Sequence, residues 1–283
     1  VEKVSSQVDF VFSAVDMTKE EIRAIEEAYA KKEVVVVSNN SAHRFTLDVP
    51  VVIPEVNSDH FKIIEKQKER LGTKKGFIVV KPNCSIQCYV PLIDALREYE
   101  PYLINISTYQ AISGAGKTFK DFPEIVDNII PYIKGEEEKS EKEPLKIWGK
   151  VEGDRIVLNE DITISSQCLR VPVSEGHMAT VSVKFKKKPT KDEIIGKWNS
   201  YGALEYDLPH KTDKFITYFE DDFRPQTKLD MNLYGGMGIA AGRLREDSIF
   251  DYKFIGLSHN TIRGAAGGAL LTAELLYKMG YLD

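Results

Sequence analysis

The run Gly76-Phe77-Ile78-Val79-Val80-Lys81-Pro82-Asn83-Cys84-Ser85-Ile86-Gln87-Cys88 holds the strongest chemical signal in the chain. The apolar stretch ending at Val80 predicts a buried strand and Pro82-Asn83 a turn. Residues 85–98 follow a helical pattern, with Ile86, Val90, Ile93 and Leu96 on one side and a kink expected at Pro91. Cys84 then stands on the first turn of that helix. Unpaired N–H groups and the positive end of the macrodipole favour a thiolate there, lowering the pKa from ~8.5 and making a nucleophile. A buried structural cysteine is the competing reading.

Three further segments carry matching chemistry. Thr108-Tyr109-Gln110-Ala111-Ile112-Ser113-Gly114-Ala115-Gly116 is a strand end running into a small-residue loop, where a ligand can approach backbone donors. Around a Pro/Gly turn, Arg170 and His177 offer a carboxylate clamp and an acid or base near neutral pH, although His177 also reads as a satisfied histidine beside a turn. The stretch from Tyr132 to Lys139, with Glu136, Glu137 and Glu138 in sequence, has the composition of a solvated charge run.

In this order the segments resemble the aspartate-semialdehyde dehydrogenase family, in its archaeal and fungal-like branch. The matching residues are Pro82-Asn83-Cys84, Gln110 with Ser113-Gly114-Ala115-Gly116, and Ile129 through Glu137. Arg170-Val171-Pro172 with Gly176-His177, and Asn260-Thr261-Ile262-Arg263-Gly264-Ala265-Ala266-Gly267, complete the set. The resemblance runs from about Asp9 to the C-terminus. It implies a reversible, NADP-dependent reduction of L-4-aspartyl phosphate to L-aspartate 4-semialdehyde with release of phosphate. It implies Cys84 as the nucleophile, His177 as general acid and base, and Gln110 as the residue orienting the substrate. Asn83, with the Cys84 amide, is expected at the oxyanion. By the same resemblance Arg170 grips the α-carboxylate, Glu136 meets the substrate ammonium, and Lys139 and Arg44 bind phosphate; which of the three consecutive glutamates points inward stays open. An ion pair with Asp48 is the plain alternative for Arg44. Ser113, Gly114 and Asn260 are expected to face the nicotinamide and its ribose phosphate.

Two related enzyme classes compete. An acyl-CoA reductase acting on malonyl- or succinyl-CoA keeps the Cys and His without needing Arg170, Glu136 and Lys139 together. An N-acetylglutamyl-phosphate reductase usually has Pro-Gly-Cys where this chain has Pro82-Asn83-Cys84. A non-catalytic shortened subunit is the reading from outside the enzymes.

The elements that must position these groups form an α/β chain. A strand over residues 8–15, a helix over 18–30 and a strand over 33–37 give the βαβ rhythm of a doubly wound, Rossmann-like parallel sheet. The glycine-rich turn that opens such a fold is not in the sequence, so an N-terminally shortened nucleotide domain is expected. Runs at residues 103–111, 155–158, 169–173, 178–185 and 215–218 predict an α+β catalytic and dimerisation domain with a mostly antiparallel sheet. Residues 254–257 read as its last strand and 260–279 as a closing helix; residues 136–143 and 221–228 read as loops. The expected division is 1–82 for the remainder of the NADP-binding domain, 83–255 for the catalytic domain, and 256–283 for a helix returning to the first.

With 283 residues, 42% hydrophobic and 29% charged, the chain can bury a sizeable core. A net charge of −5 argues against a nucleic-acid binder, and no apolar run is long enough to span a bilayer. Lys184-Phe185-Lys186-Lys187-Lys188 reads as a solvated strand end. Three cysteines do not make a disulfide framework and point to the cytoplasm, with Cys88 one helical turn from Cys84 read as a core residue. A homodimer or homotetramer follows from the resemblance.

Overall fold

The computed structural model describes residues 1–282. Strand β1, Phe10–Ser13, leads to helix α1, Lys19–Ala30, which starts at a capping box: Thr18 Oγ1 accepts from the Glu21 N–H while the Glu21 carboxylate accepts from the Thr18 N–H. Strand β2, Val35–Ser38, is buried throughout. After it come α2, Pro54–Asn57, and α3, Ile64–Leu71, then β3, Ile78–Val80. The three strands form a parallel sheet in the order β1-β2-β3. Gln67 on α3 fastens β3, its Nε2 donating to the carbonyls of Asp48 and Ile78 and its Oε1 accepting from the Ile78 N–H.

The expected helix over residues 85–98 is not continuous. It divides into a 3₁₀ turn, Ser85–Cys88, a short α4, Val90–Asp94, and a second 3₁₀ turn, Arg97–Tyr99. Pro91 does not kink a helix but starts one, in the first turn of α4 where its missing N–H costs nothing. Strand β4, Pro101–Gln110, follows. The expected loop at 136–143 is also corrected: α5 spans Glu136–Ile147, opened by Gly135 at φ 73° and by three glutamates at its positive end.

A small hairpin, β5 Lys150–Glu152 with β6 Arg155–Val157, precedes β7, Thr163–Arg170, and β8, His177–Phe185. Then come α6, Lys191–Ser200, β9, Ile216–Phe219, the short α7, Thr227–Asp230, β10, Ile239–Glu246, and β11, Tyr252–Ser258. Neither β10 nor α6 was legible in the sequence. The second sheet runs β7-β4-β8-β11-β10-β9, with β4–β8, β8–β11 and β11–β10 antiparallel and the two outer pairings, β7–β4 and β10–β9, parallel. Strand β8 alternates between buried and half-buried residues, so one face is covered. The cover includes the 3₁₀ turn, α4 and α6: Cys88, Tyr89, Leu92 and Trp198 pack with Ile104, Ile106, Val181 and Phe254.

The expected closing helix is in two parts. Residues Ile262–Ala266 wind as a π-helix, and α8, Gly267–Lys278, continues regularly. Leu271, Leu275 and Leu276 of α8 lie in one cluster with Val35, Val37, Phe77 and Val79 of the first sheet. Lys186 and Lys187 reach Glu100, and Lys188 reaches Glu246, at a solvated strand end as expected.

Gly256 on β11 is what lets the Cys84–Cys88 segment lie on the sheet, since a Cβ there would stand 1.9 Å from the Cys88 carbonyl oxygen. Gly256→Ala is expected to destabilise the fold by about 1–3 kcal/mol, the usual cost of overpacking. Gly196→Ala on α6, where a Cβ meets nothing within 4 Å, should be neutral or slightly stabilising. Thermal unfolding of the two variants checks the contrast.

Candidate active site

The segment bearing Cys84 follows from β3: the chain leaves the sheet at Lys81, whose N–H donates to the Ser38 carbonyl, and turns at Pro82. Cys84 then sits just ahead of the 3₁₀ turn at the floor of a cavity of about 570 Å³. Asn39, Asn40, Ser41, Arg44, Lys81, Asn83, Gln110, Ser113, Gly114, Glu136, Lys139, Arg170, Asn260, Thr261, Gly264 and Ala265 line it with Cys84 and Asp16. Ten of the eleven residues singled out from the sequence therefore share one wall system. The eleventh, His177, is fully buried beneath Gly114: a Cβ on Gly114 would come within 2.8 Å of His177 Nε2 and 2.9 Å of Arg170 Nη1.

The thiol does not follow the simple helix-terminus expectation. The turn after Cys84 is one short 3₁₀ element with little dipole to offer, and burial pushes the Cys84 thiol up; the Lys81 ammonium is the largest opposing influence, with Arg44 and Arg170 behind it. Cys84 Sγ donates to Asn83 Oδ1 at 3.6 Å. Cys88 is a core residue, its thiol donating to the Ser85 carbonyl, and burial pushes it up further.

Two carboxylates on α5 organise the polar wall. Glu136 Oε2 accepts from Asn83 Nδ2 at 2.7 Å, Gln110 Nε2 at 3.2 Å and Ser85 Oγ at 3.4 Å, while Oε1 accepts from Lys139 Nζ at 2.7 Å. Burial opposes its ionisation, but Lys139 and the amide donors outweigh that and hold the carboxyl below its ordinary range. Of the three consecutive glutamates, Glu136 is the one that points inward. Glu143 Oε1 accepts from Arg44 Nη1 at 2.8 Å, and its Oε2 accepts from the Asn83 N–H at 2.7 Å. The ion pair expected as the alternative for Arg44 is not formed, because Asp48 is taken by Arg70.

Asn83 is fully engaged: its Nδ2 serves Ser85 Oγ and Glu136, leaving no amide hydrogen for an oxyanion. The Cys84 N–H, by contrast, has no acceptor among the described residues. Arg170 donates Nη1 to the Ala111 carbonyl at 2.7 Å, which fixes the plane of the guanidinium beside the cavity. Asn260 links two loops, its Nδ2 donating to Ser113 Oγ and its Oδ1 accepting from the Gly176 N–H.

His177 Nδ1 accepts a hydrogen bond from the Ala111 N–H at 3.1 Å, so the neutral ring carries its proton on Nε2. Nε2 is buried with no partner. Burial, followed by Arg170, pushes the ring down to about 3. The arrangement makes His177 a donor at neutral pH.

Several residues that build the site were not singled out in the sequence. Glu143, Ser140 and Lys146 share the buried side of α5 with Glu136, and Lys146 Nζ donates to the carbonyls of Arg44, Thr46 and Val49. The signal was there as polar residues recurring at helical spacing where an apolar stripe belongs. Arg263 in the π-helix pairs with Glu55 of α2 and reaches Gln87 of the nucleophile turn. Gly264 lets that π-helix touch the nucleophile, since its Cβ would stand 2.7 Å from Cys84 Cβ.

Family models match along the chain: "Semialdehyde dehydrogenase, NAD binding domain" over residues 1–64 and "Semialdehyde dehydrogenase, dimerisation domain" over residues 90–263. The aspartate-semialdehyde dehydrogenase of Archaeoglobus fulgidus is 43% identical over 95% of this chain and 77% of its own length. That of Schizosaccharomyces pombe is 39% identical over 99% of this chain and 80% of its own. A crystal structure of the Candida albicans aspartate-semialdehyde dehydrogenase with NADP superimposes with a TM-score of 0.84 at 35% identity, covering 98% of this chain and 79% of that one.

Gly114→Ala should displace His177 and Arg170 and lower kcat/KM by about 10-fold or more while leaving the fold intact, read from steady-state rates beside a thermal melt. The buried ring also leaves a pH signature. Its folded value of about 3 lies below the ordinary 6.5, so the unfolded chain takes up the proton first as pH falls. Stability from the neutral ring is complete above pH 6.5 and is lost progressively as pH falls toward 3. His177→Gln should therefore lose unfolding free energy less steeply than wild type in that range, by about 1.4 kcal/mol per pH unit; equal slopes in denaturant titrations would assign the effect elsewhere.

Proposed function

The chain belongs to the aspartate-semialdehyde dehydrogenase family, and on that premise we propose which of its residues carry the reaction. It is an NADP-dependent aldehyde oxidoreductase that interconverts L-4-aspartyl phosphate and L-aspartate 4-semialdehyde, in the biosynthesis of lysine, threonine and methionine, and it works as a dimer. The observation that supports the residue assignment is one cavity where a thiol, two arginines, two lysines and several side-chain amides meet.

Cys84, as the thiolate, attacks the acyl carbon, the carbon–oxygen bond to phosphate breaks, and a thioester forms on the sulfur. The Cys84 N–H and His177 Nε2–H are the donors for the oxygen that gathers charge, once the Ser113-Gly114 loop gives way enough to bring the ring to the substrate. Asn83, assigned to that role from the resemblance, acts instead by fixing the turn. His177, neutral with its proton on Nε2, steadies the tetrahedral alkoxide by that hydrogen bond, and the alkoxide collapses to the aldehyde as the Cys84 thiolate leaves. Gln110 orients the substrate carbonyl. Arg170 forks the α-carboxylate through the guanidinium nitrogens not tied to Ala111.

Substrate replaces an existing ion pair: its ammonium takes Glu136 and its phosphate takes Lys139, with Arg44 as the second phosphate ligand. Inorganic phosphate is accordingly the co-substrate of the oxidative direction.

NADP would lie along the small-residue wall of the cavity formed by Gly114, Gly264 and Ala265, which packs directly against His177 and Cys84. Ser113, Gly114 and Asn260 would hold its nicotinamide half, and the bound cofactor supplies or accepts the hydride. We assign residues 1–82 and 256–283 to the nucleotide side and 83–255 to the catalytic side, a division supported by the packing of α8 on the first sheet. A homodimer or homotetramer and a cytoplasmic location complete the reading; three free thiols support the latter. No helix among the described residues is long and apolar enough to cross a membrane.

The test is phosphate-dependent NADP reduction with L-aspartate 4-semialdehyde. Cys84→Ser should lower kcat by about 10³-fold or more. Arg170→Lys should raise KM for the semialdehyde by about 10–100-fold with a smaller effect on KM for phosphate. Turnover of malonyl-CoA in place of the semialdehyde would move the assignment to the acyl-CoA reductases, and inertness toward both would favour a non-catalytic subunit.

A further inference from the structure

The free protein is unequally prepared for the two ends of its substrate. Arg170, assigned to the α-carboxylate, lines the cavity with no carboxylate partner among the described residues, and donates only to the Ala111 carbonyl. Both phosphate ligands, by contrast, are already neutralised. Arg44 Nη1 meets Glu143 Oε1 at 2.8 Å, and Lys139 Nζ meets Glu136 Oε1 at 2.7 Å. The first pair is fixed, because Glu143 is buried and its other oxygen holds the Asn83 N–H. The second lies at the cavity wall with the Lys139 side chain 29% exposed, and Nζ has no other acceptor.

Glu136 has one oxygen to offer a ligand. Its Oε2 already accepts from Asn83 Nδ2, Gln110 Nε2 and Ser85 Oγ, which fills that oxygen. A substrate ammonium therefore approaches Oε1, where Lys139 stands. Two ammonium groups crowded on one oxygen repel each other, so the arrival of one loosens the other.

We propose that the Glu136–Lys139 pair is a latch through which the amino-acid half of the substrate opens the phosphate site. The substrate ammonium displaces Lys139 from Glu136 Oε1, and the freed Lys139 ammonium, now without a counter-ion, takes phosphate. Arg170 gives the amino acid a ready anchor from which to compete for Oε1. Phosphate has no such anchor, since each of its cations is paired until the amino acid arrives. In the oxidative direction semialdehyde and phosphate come as separate molecules, so phosphate binds weakly alone and more tightly beside semialdehyde. Linkage requires the reverse by the same factor: phosphate on Lys139 leaves Oε1 to the ammonium. The inference rests on the proposed assignment of ammonium to Glu136 and phosphate to Lys139, and goes beyond it in making the two sites interdependent.

The experiment is equilibrium dialysis of radiolabelled inorganic phosphate against the full chain carrying Cys84→Ala, which forms no thioester. Cofactor is left out, and L-aspartate 4-semialdehyde is either absent or saturating. Semialdehyde is expected to tighten phosphate binding by about 5-fold or more. Adding Glu136→Gln, whose oxygen keeps the bonds to Asn83 and Gln110, should let phosphate alone bind about as tightly as it otherwise does with semialdehyde, and should abolish the coupling. A merely structural glutamate would not give tighter phosphate binding when replaced. Lys139→Met, at a partly exposed side chain, should do the converse, tightening semialdehyde alone and weakening phosphate; this variant decides the matter should Glu136→Gln fail to fold. Phosphate affinity indifferent to semialdehyde overturns the latch, and so does a coupling that survives Glu136→Gln, which would come from direct attraction between the two ligands. Absent coupling with phosphate still weakened by Lys139→Met overturns the latch alone, whereas phosphate binding unchanged by Lys139→Met overturns the site assignment with it.

Discussion

The Glu143 carboxylate holds together parts that come from three places in the chain. One oxygen takes Arg44, from the loop after β2; the other takes the N–H of Asn83, beside the nucleophile; the side chain itself belongs to α5. It is almost wholly buried, so each oxygen must be satisfied by protein. Removing one member of such a pair typically costs about 3–5 kcal/mol, because the remaining charge stays out of water without compensation. Arg44 and the Asn83-Cys84 turn are thus tied to one rigid group. Lys146, one turn along α5, fixes the loop bearing Arg44 through three of its carbonyls.

Close packing does the rest. The nucleophile turn is pressed between Gly256 of β11 on one side and Gly264 of the π-helix on the other, and His177 and Arg170 lie directly behind Gly114. The contacts at Gly256 and Gly264 are with backbone and the Cys84 stem, which move little, so the position of the sulfur is set by the fold, whereas Gly114 meets the ends of the His177 and Arg170 side chains.

Much of this was legible in the sequence where type and order were diagnostic. Asn83-Cys84, the Gln110 loop and Arg170 meet at the cavity with His177 buried behind Gly114, and the alternation along β8 matches its half-covered face. What stayed hidden depended on long-range burial. The charges of α5 look solvated in one dimension, and only tertiary packing shows that Glu136, Glu143 and Lys146 face inward while Glu138 and Lys142 pair at the surface. Lys81 reads as an ordinary lysine after a strand. The tautomer of His177 depends on an N–H sixty-six residues away. Residues 85–98 misled because apolar periodicity continues through the break at Tyr89, where the backbone departs from the helical region.

The π-helix at Ile262–Ala266 amounts to one residue wound in beyond a regular α-helix. Gly264 meets Cys84, and Arg263 meets Glu55, only in that winding. Deleting a residue here would turn everything before it by about a third of a revolution relative to α8, carrying the glycine away from the sulfur. The length of this segment is consequently under as tight a constraint as Gly264 and Arg263 themselves: its residue count cannot drift.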